Sequence, residues 1–158
     1  MSTVTTPVIG FAPHEVRTDV SAREARLKWV VVVDADLPAG LAANAAVCVA
    51  ASTVDRVPGI VGPDAVDAAG DVHPGLPWIG CAVLGAPRER LAAVRTKAAA
   101  AFGVFVADMT QDGQRTLVYD EYRAAVGSGA EPRYLAISVV GPRNRVDKIV
   151  GGLPLLGR

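Results

Sequence analysis

The stretch from Leu27 to Ser52, LKWVVVVDADLPAGLAANAAVCVAAS, constrains the fold more than any other part of the chain. Trp29 to Val33 is a continuous β-branched and aromatic run, not an alternating one. That pattern belongs to a strand covered on both faces of its sheet, and the strand is expected over Leu27 to Val33. An acidic turn follows, Asp34-Ala35-Asp36, and then a helix from Pro38 to about Ala51. From Leu41 to Ala51 this helix carries no charge and is dominated by alanine. Small side chains let a helix lie close to a sheet, and alanine has the highest helix propensity. A helix apolar all round is expected to be buried on most sides. Asn44 is its one strongly polar residue. It either ties the helix to a neighbouring loop or points into a site beside the Asp34–Gly40 turn. In α/β sheets ligands collect outside the carboxyl ends of strands, where helix N-termini favour anions.

The remaining elements follow the same logic. A mixed arm from Met1 to Arg26 precedes the first strand, with a helical turn expected within Ser21 to Arg26. The Gly- and Pro-rich segment Thr53 to Pro77 carries Ala65-Val66-Asp67 and Asp71-Val72-His73, which read as a small hairpin. Trp78 to Leu84 reads as the second strand. A helix from Pro87 to about Phe102 follows, with Leu91, Val94, Ala98 and Ala101 as its core stripe and Gly103 as its stop. Val104 to Ala107 is the third strand. Gly113 to about Val126 is the third helix, with Asp112 as N-cap and Gly127 as stop. Arg133 to Val140 is the fourth strand. A short helix from Arg145 to Val150 turns Val146, Ile149 and Val150 inward, and Leu153 to Leu156 closes against the core.

Strands alternating with helices predict an α/β fold with four main strands in a mainly parallel central sheet and helices on both faces. At 158 residues one domain is the simplest organisation, with 1–26 as an arm and 27–158 as the folded unit. A chain of this size buries roughly 68–70% of its unfolded surface and needs no staples. The formal net charge is zero, which argues against a protein built to hold nucleic acid. Cys48 and Cys81 lie in apolar contexts without a CxxC pair, so buried free thiols in a reducing compartment are expected. His14 and His73 are far apart and no zinc spacing occurs, so neither a metal nor another cofactor is expected. The first ten residues lack Lys and Arg, and no apolar run reaches the ~18–20 residues of a membrane span. A cytoplasmic location is expected.

The chain carries no GxSxG elbow, Walker A loop, HExxH or post-strand GxGxxG. What remains is a convergence of turns. The turn after the first strand supplies Asp34 and Asp36, and the turn after the third supplies Asp108 and Thr110. If the two strands are parallel neighbours, these side chains share one sheet edge, where a carboxylate could act as base or orient water. Asp36, Asp108 and Asp112 could equally cap helices, where acids are favoured. Tyr119 and Tyr122 are three residues apart on the third helix and project from adjoining parts of its surface; one of them, Tyr119 in particular, could line a pocket. Arg143, Arg145 and Lys148 form a basic group that could bind phosphate or form a solvated face.

Three segments together resemble the type II peptidyl-tRNA hydrolase superfamily: KWVVVVDADLPAGLAANAAV (Lys28 to Val47), FVADMTQ (Phe105 to Gln111) and YLAISVVGPRNRVDKIVGGLPLL (Tyr134 to Leu156). The chain is most similar to a branch of that superfamily known only as a domain of unknown function, through Val61 to Val83 and TLVYDEY (Thr116 to Tyr122) as well. The resemblance implies a compact three-layer α/β/α domain with a four-stranded mixed sheet, often dimeric. Where true hydrolases carry an Ala-Ala-Gln run and a histidine, this chain has Ala42-Ala43-Asn44 and Val47. No lysine occurs between Trp29 and Thr96, so the family's catalytic lysine has no counterpart. Asp108 matches the aspartate after the third strand, and Thr110 lies close to the family's threonine.

Three functions follow as expectations. One is an enzyme-like domain acting on a small molecule or acyl derivative, with Asp108 as base or water-orienter, Thr110 and Asn44 as hydrogen-bonding groups, and Asp34, Asp36 and Tyr119 around the ligand. The others are a non-catalytic, homodimeric ligand-binding or regulatory module, and residual peptidyl-tRNA hydrolysis.

Overall fold

The computed structural model describes residues 8–158 of the chain; the start of the expected arm, 1–7, lies outside them. The apolar run around Val31 forms β1 (Leu27–Asp34), and it is buried almost throughout, as a doubly covered strand should be. The small-residue segment forms α1 (Ala39–Arg56), about a turn longer than expected. The hairpin forms as predicted, from β2 (Ala65–Val66) and β3 (Val72–His73), with Ala65 opposite His73. β4 (Ala82–Ala86), α2 (Arg88–Ala100), β5 (Phe105–Thr110), α3 (Asp112–Arg115), α4 (Tyr119–Val126), β6 (Tyr134–Pro142) and α5 (Arg143–Val150) complete the chain.

The main sheet has the order β4-β1-β6-β5. Successive side chains of β1 point to opposite faces. Trp29, Val31 and Val33 meet α1, while Val30 and Val32 meet the layer of α2 and α5. The result is a three-layer α/β/α architecture. Each of these fully buried valines stabilises the fold by about 1.5–3 kcal/mol relative to exposure.

The expected mainly parallel sheet is corrected. Among the described residues β1 and β4 are the one parallel pair of the main sheet; β6 runs antiparallel to both β1 and β5. A continuous apolar run reports that both faces are covered and says nothing about strand direction. The second strand also begins later than Trp78, because Pro77, Trp78 and Ile79 make a turn that Gly80 closes at φ +70°.

Three further expectations change. α1 buries only Ala42, Ala45, Val49 and Thr53, and Val47 on its outer side is 67% exposed. α1 is the long helix of its layer, and its back faces outward. The third helix is interrupted between α3 and α4. Thr116 stops α3 by turning both its backbone N–H and its hydroxyl onto the Asp112 carbonyl. Asp112 is the first residue of α3 rather than its cap, and Gln111 in the cap position makes no side-chain capping bond. Gly127 does close α4. Both cysteines are exposed, not buried: Cys48 falls on the outer face of α1, and Cys81 precedes β4 at the sheet margin.

The segment before β1 packs onto the sheet. Phe11 is buried, donates its N–H to the Pro58 carbonyl at 2.8 Å, and stacks at 4.9 Å on Trp78. Glu15 pairs with Arg26 at 2.9 Å. A 3-10 turn, Ala22–Glu24, lies within the expected helical turn. At the other end, Gly85 donates to the Pro154 carbonyl and Leu156 to the Val83 carbonyl, so the C-terminal segment closes along β4.

Candidate functional site

β1 and β5 are both antiparallel to β6, so they run in the same direction and end at the same sheet edge. They are not neighbours, because the start of β6 lies between them. Asp34 ends β1 and Thr110 ends β5. Both are almost fully buried, at 1% and 2% exposure. The Asp34 Oδ1 accepts the Asp36 N–H at 3.0 Å, and its Oδ2 stands 3.6 Å from the Arg133 guanidinium. Arg133 is placed there by its own carbonyl, which accepts the Gln111 N–H at 2.8 Å just beyond β5. Asp36 is exposed on the far side of this turn, beside Ala35, Gly85 and Pro87.

Asp108 contributes to a different feature, a half-open cleft of about 380 Å³ between α1 and the α3–α4 segment. Cys48, Ala51 and Ser52 form the α1 wall. Met109 forms the floor, Asp108 borders the cleft from the open edge of β5 with its side chain leaving the strand on the α2 side, and Gly113, Thr116, Leu117, Tyr119 and Tyr122 form the opposite wall. A side chain at Gly113 would bring a Cβ within 3.1 Å of the Met109 methyl, so glycine lets α3 settle against β5. The broken helix matters here. The extended residues between α3 and α4 leave Leu117 fully exposed at the rim and let Tyr119 and Tyr122 face each other, ring centres 5.5 Å apart and tilted by 58°. The volume and the apolar walls suit a small ligand.

The cleft wall carries one charge, and an arginine outside the wall partly offsets it. Asp108 is the single charged side chain in its wall. Arg95 reaches Asp108 from α2, its Nε donating to Oδ2 at 3.1 Å, and its guanidinium lies 6.0 Å from the Tyr134 ring centre. Among the described residues, no protein group bonds Asp108 Oδ1. Burial pushes the Tyr122 hydroxyl above its ordinary range, and the nearby charges of Asp108, Tyr119 and Asp112 push it further.

The expected site residues therefore separate. Asp108 and Tyr119 share the cleft. Asp34 faces Arg133, and Thr110 is buried at the end of β5 across from Tyr134. Asn44 lies outside the cleft wall: its Oδ1 accepts from Gln114 Nε2 at 3.2 Å, and the same Nε2 donates to the Leu41 carbonyl at 2.9 Å. Asn44 thus ties α1 to α3. Of the basic group near the C-terminus, Arg143 donates to the Ala22 and Ala25 carbonyls and Arg145 to the Phe102 carbonyl. Arg95, Arg133 and Gln114 were not singled out in the sequence. No local pattern marks them, because each acts on a residue far away in the chain. Asp108 after the third strand and the spacing of Tyr119 and Tyr122 are the signals of this cleft that the sequence shows.

The family described as "Protein of unknown function (DUF2000)" matches residues 27–157. The chain belongs to the DUF2000 family. The match begins where β1 begins and includes every element of the main sheet. A solved structure of a protein of unknown function from Agrobacterium tumefaciens strain C58 is similar to this DUF2000 chain, with a TM-score of 0.76 and 19% sequence identity. The similarity covers 82% of this chain and 97% of that one, and at this identity it bears on the fold. Comparison with curated proteins returned no match. Neither the family nor the solved structure carries a description of peptidyl-tRNA hydrolysis. Among the described residues, no helix is long and apolar enough to cross a membrane, and no group of three or more His, Cys, Asp or Glu could hold a metal ion.

Proposed function

We propose that this DUF2000 domain binds a small molecule in the cleft between α1 and α3–α4 and acts on it through Asp108. One observation carries this reading. A single carboxylate borders an otherwise uncharged cleft wall, with one oxygen fixed by Arg95 and, among the described residues, the other without a protein partner. The guanidinium holds the carboxylate in one orientation. Oδ1 is then positioned to accept a hydrogen bond from a ligand or to orient a water for attack on an acyl carbon. Thr110 and Asn44, expected to work beside Asp108, stand outside this wall and play no part in the step.

A non-catalytic binding module is the second reading. Cys48 and Ser52 line the cleft, but no histidine does, so the wall lacks a histidine base for either nucleophile. Peptidyl-tRNA hydrolysis gains nothing from the geometry, since no lysine or arginine lines the cleft and a tRNA demands many phosphate contacts.

The test begins with protein purified without added ligand, examined by native mass spectrometry and crystallography for a compound in the cleft. With that compound in hand and at saturating concentration, Asp108→Asn should turn it over about 10²–10⁴-fold more slowly. Unchanged turnover in the variant refutes catalysis through Asp108, and binding without turnover in the parent protein selects the second reading. The exposed surface of α1, uncharged as far as Val54 and with Leu41, Val47 and Val54 exposed, supports a homodimer; sedimentation equilibrium showing only monomer at high concentration would dispose of it.

A further inference from the structure

We propose that the ligand of this cleft is an organic cation, an ammonium group carried on a compact apolar or aromatic body. The proposal rests on the small-molecule reading above and names the chemistry that the cleft selects. The wall contains one carboxylate, Asp108, and no Lys, Arg or His. Tyr119 and Tyr122 meet at 5.5 Å in a tilted pair within the same wall. Aromatic faces carry negative electrostatic potential and attract cations within about 6 Å. A carboxylate beside two such rings is the arrangement that holds an ammonium head, while the apolar surface of Ala51, Met109 and Leu117 takes its body.

Arg95 offsets part of the charge of Asp108 but leaves one of its oxygens free. Arg95 approaches Asp108 from α2 and lies against the Tyr134 ring. It binds Oδ2 alone and leaves Oδ1 for the ligand. Burial is the larger cause of the raised Tyr122 hydroxyl, and Asp108 and Asp112 add to it by disfavouring a negative charge there. A carboxylate or phosphate ligand would meet this repulsion with no cationic partner in the wall. A neutral ligand would gain the apolar contacts but nothing from the rings or the carboxylate.

The experiment compares four probes of similar size at pH 7 by calorimetric titration of the full chain: 2-phenylethylamine, benzyltrimethylammonium, 2-phenylethanol and phenylacetate. Alkylation of Cys48, which lines the cleft, is followed by peptide mass spectrometry as an independent reading of occupancy. The two cations should bind about tenfold more tightly than the alcohol, the carboxylate should bind most weakly, and the cations should slow alkylation of Cys48. Asp108→Asn should remove the preference of the amine over the alcohol while alcohol binding is unchanged. Tyr119→Ala, at a residue 75% exposed and therefore safe for folding, should weaken both cations more than the alcohol. If the alcohol or phenylacetate binds as tightly as the amine and protects Cys48 equally, the cation proposal is overturned and the small-molecule reading stands. If no probe binds and Cys48 is alkylated at the same rate throughout, both fall.

Discussion

Removing the Ser138 hydroxyl tests how α1 is held against the sheet. Trp29 Nε1 donates to Ser138 Oγ at 2.8 Å, Ser138 and Thr53 share a hydrogen bond at 2.6 Å, and Thr53 Oγ1 donates to the Val49 carbonyl at 2.7 Å. Since the Thr53 proton goes to Val49, Ser138 must donate to Thr53. The relay uses every hydrogen once, and Trp29, Ser138 and Thr53 are all buried. Ser138→Ala strands the indole N–H in an apolar surrounding with no other acceptor. A buried donor left unsatisfied costs about 1–3 kcal/mol. Taking ~2 kcal/mol, and about 2–4 °C per kcal/mol for a domain of this size, the melting temperature should fall by roughly 4–8 °C. Thermal unfolding by circular dichroism measures the shift, and urea titration should show a lower midpoint at unchanged slope. Thr53→Val removes the next acceptor in the relay. The double variant should therefore lose less than the sum of the single losses, by about 0.5–3 kcal/mol. A Ser138→Ala protein melting within about 1 °C of the parent, or strict additivity in the double variant, refutes the relay. The consequence reaches the cleft, because Thr53 anchors the turn of α1 that carries Ala51 and Ser52.

Two other outcomes follow from the same structure. The Arg26 guanidinium, followed by the Ala12 N–H, holds the Glu15 carboxyl below its ordinary range. The stabilisation it contributes is therefore present above the unfolded value of 4.5 and is lost as pH falls through the lower folded value. Exchange of the Phe11 amide, bonded to Pro58, should be faster in Glu15→Gln than in the parent at pH 7, and the two should converge in acid; a constant ratio across that range refutes the linkage. Cys81 is at the surface as a residue, but its thiol sits against the β1 backbone at Val31, and desolvation pushes it up to about 12. At pH 8 iodoacetamide should modify Cys48 well before Cys81, because the thiolate is the reacting form; equal rates by peptide mapping would refute this.

The elements of this protein were legible in the sequence wherever a local pattern carries them. The β-branched run from Trp29 to Val33 reports a strand covered on both sides, and β1 is one. The stripe of Leu91, Val94 and Ala98 reports a helix face, and that face is buried. Strand direction was not legible, because β6 buries the same apolar faces whether it runs parallel or antiparallel to β1. Nor was the break after α3, where Thr116 turns its hydroxyl back onto Asp112 within a segment of ordinary helical appearance. The family DUF2000 was within reach of sequence motifs; a ligand was not. Periodicity and turn chemistry are set by residues a few positions apart, so the sequence by itself determined the elements, their buried faces and the α/β class. The cleft joins Cys48 to Tyr122, and Arg95 meets Asp108 across a helix-to-strand crossing. Only the tertiary structure decided those meetings, because they depend on where the strands lie in the sheet.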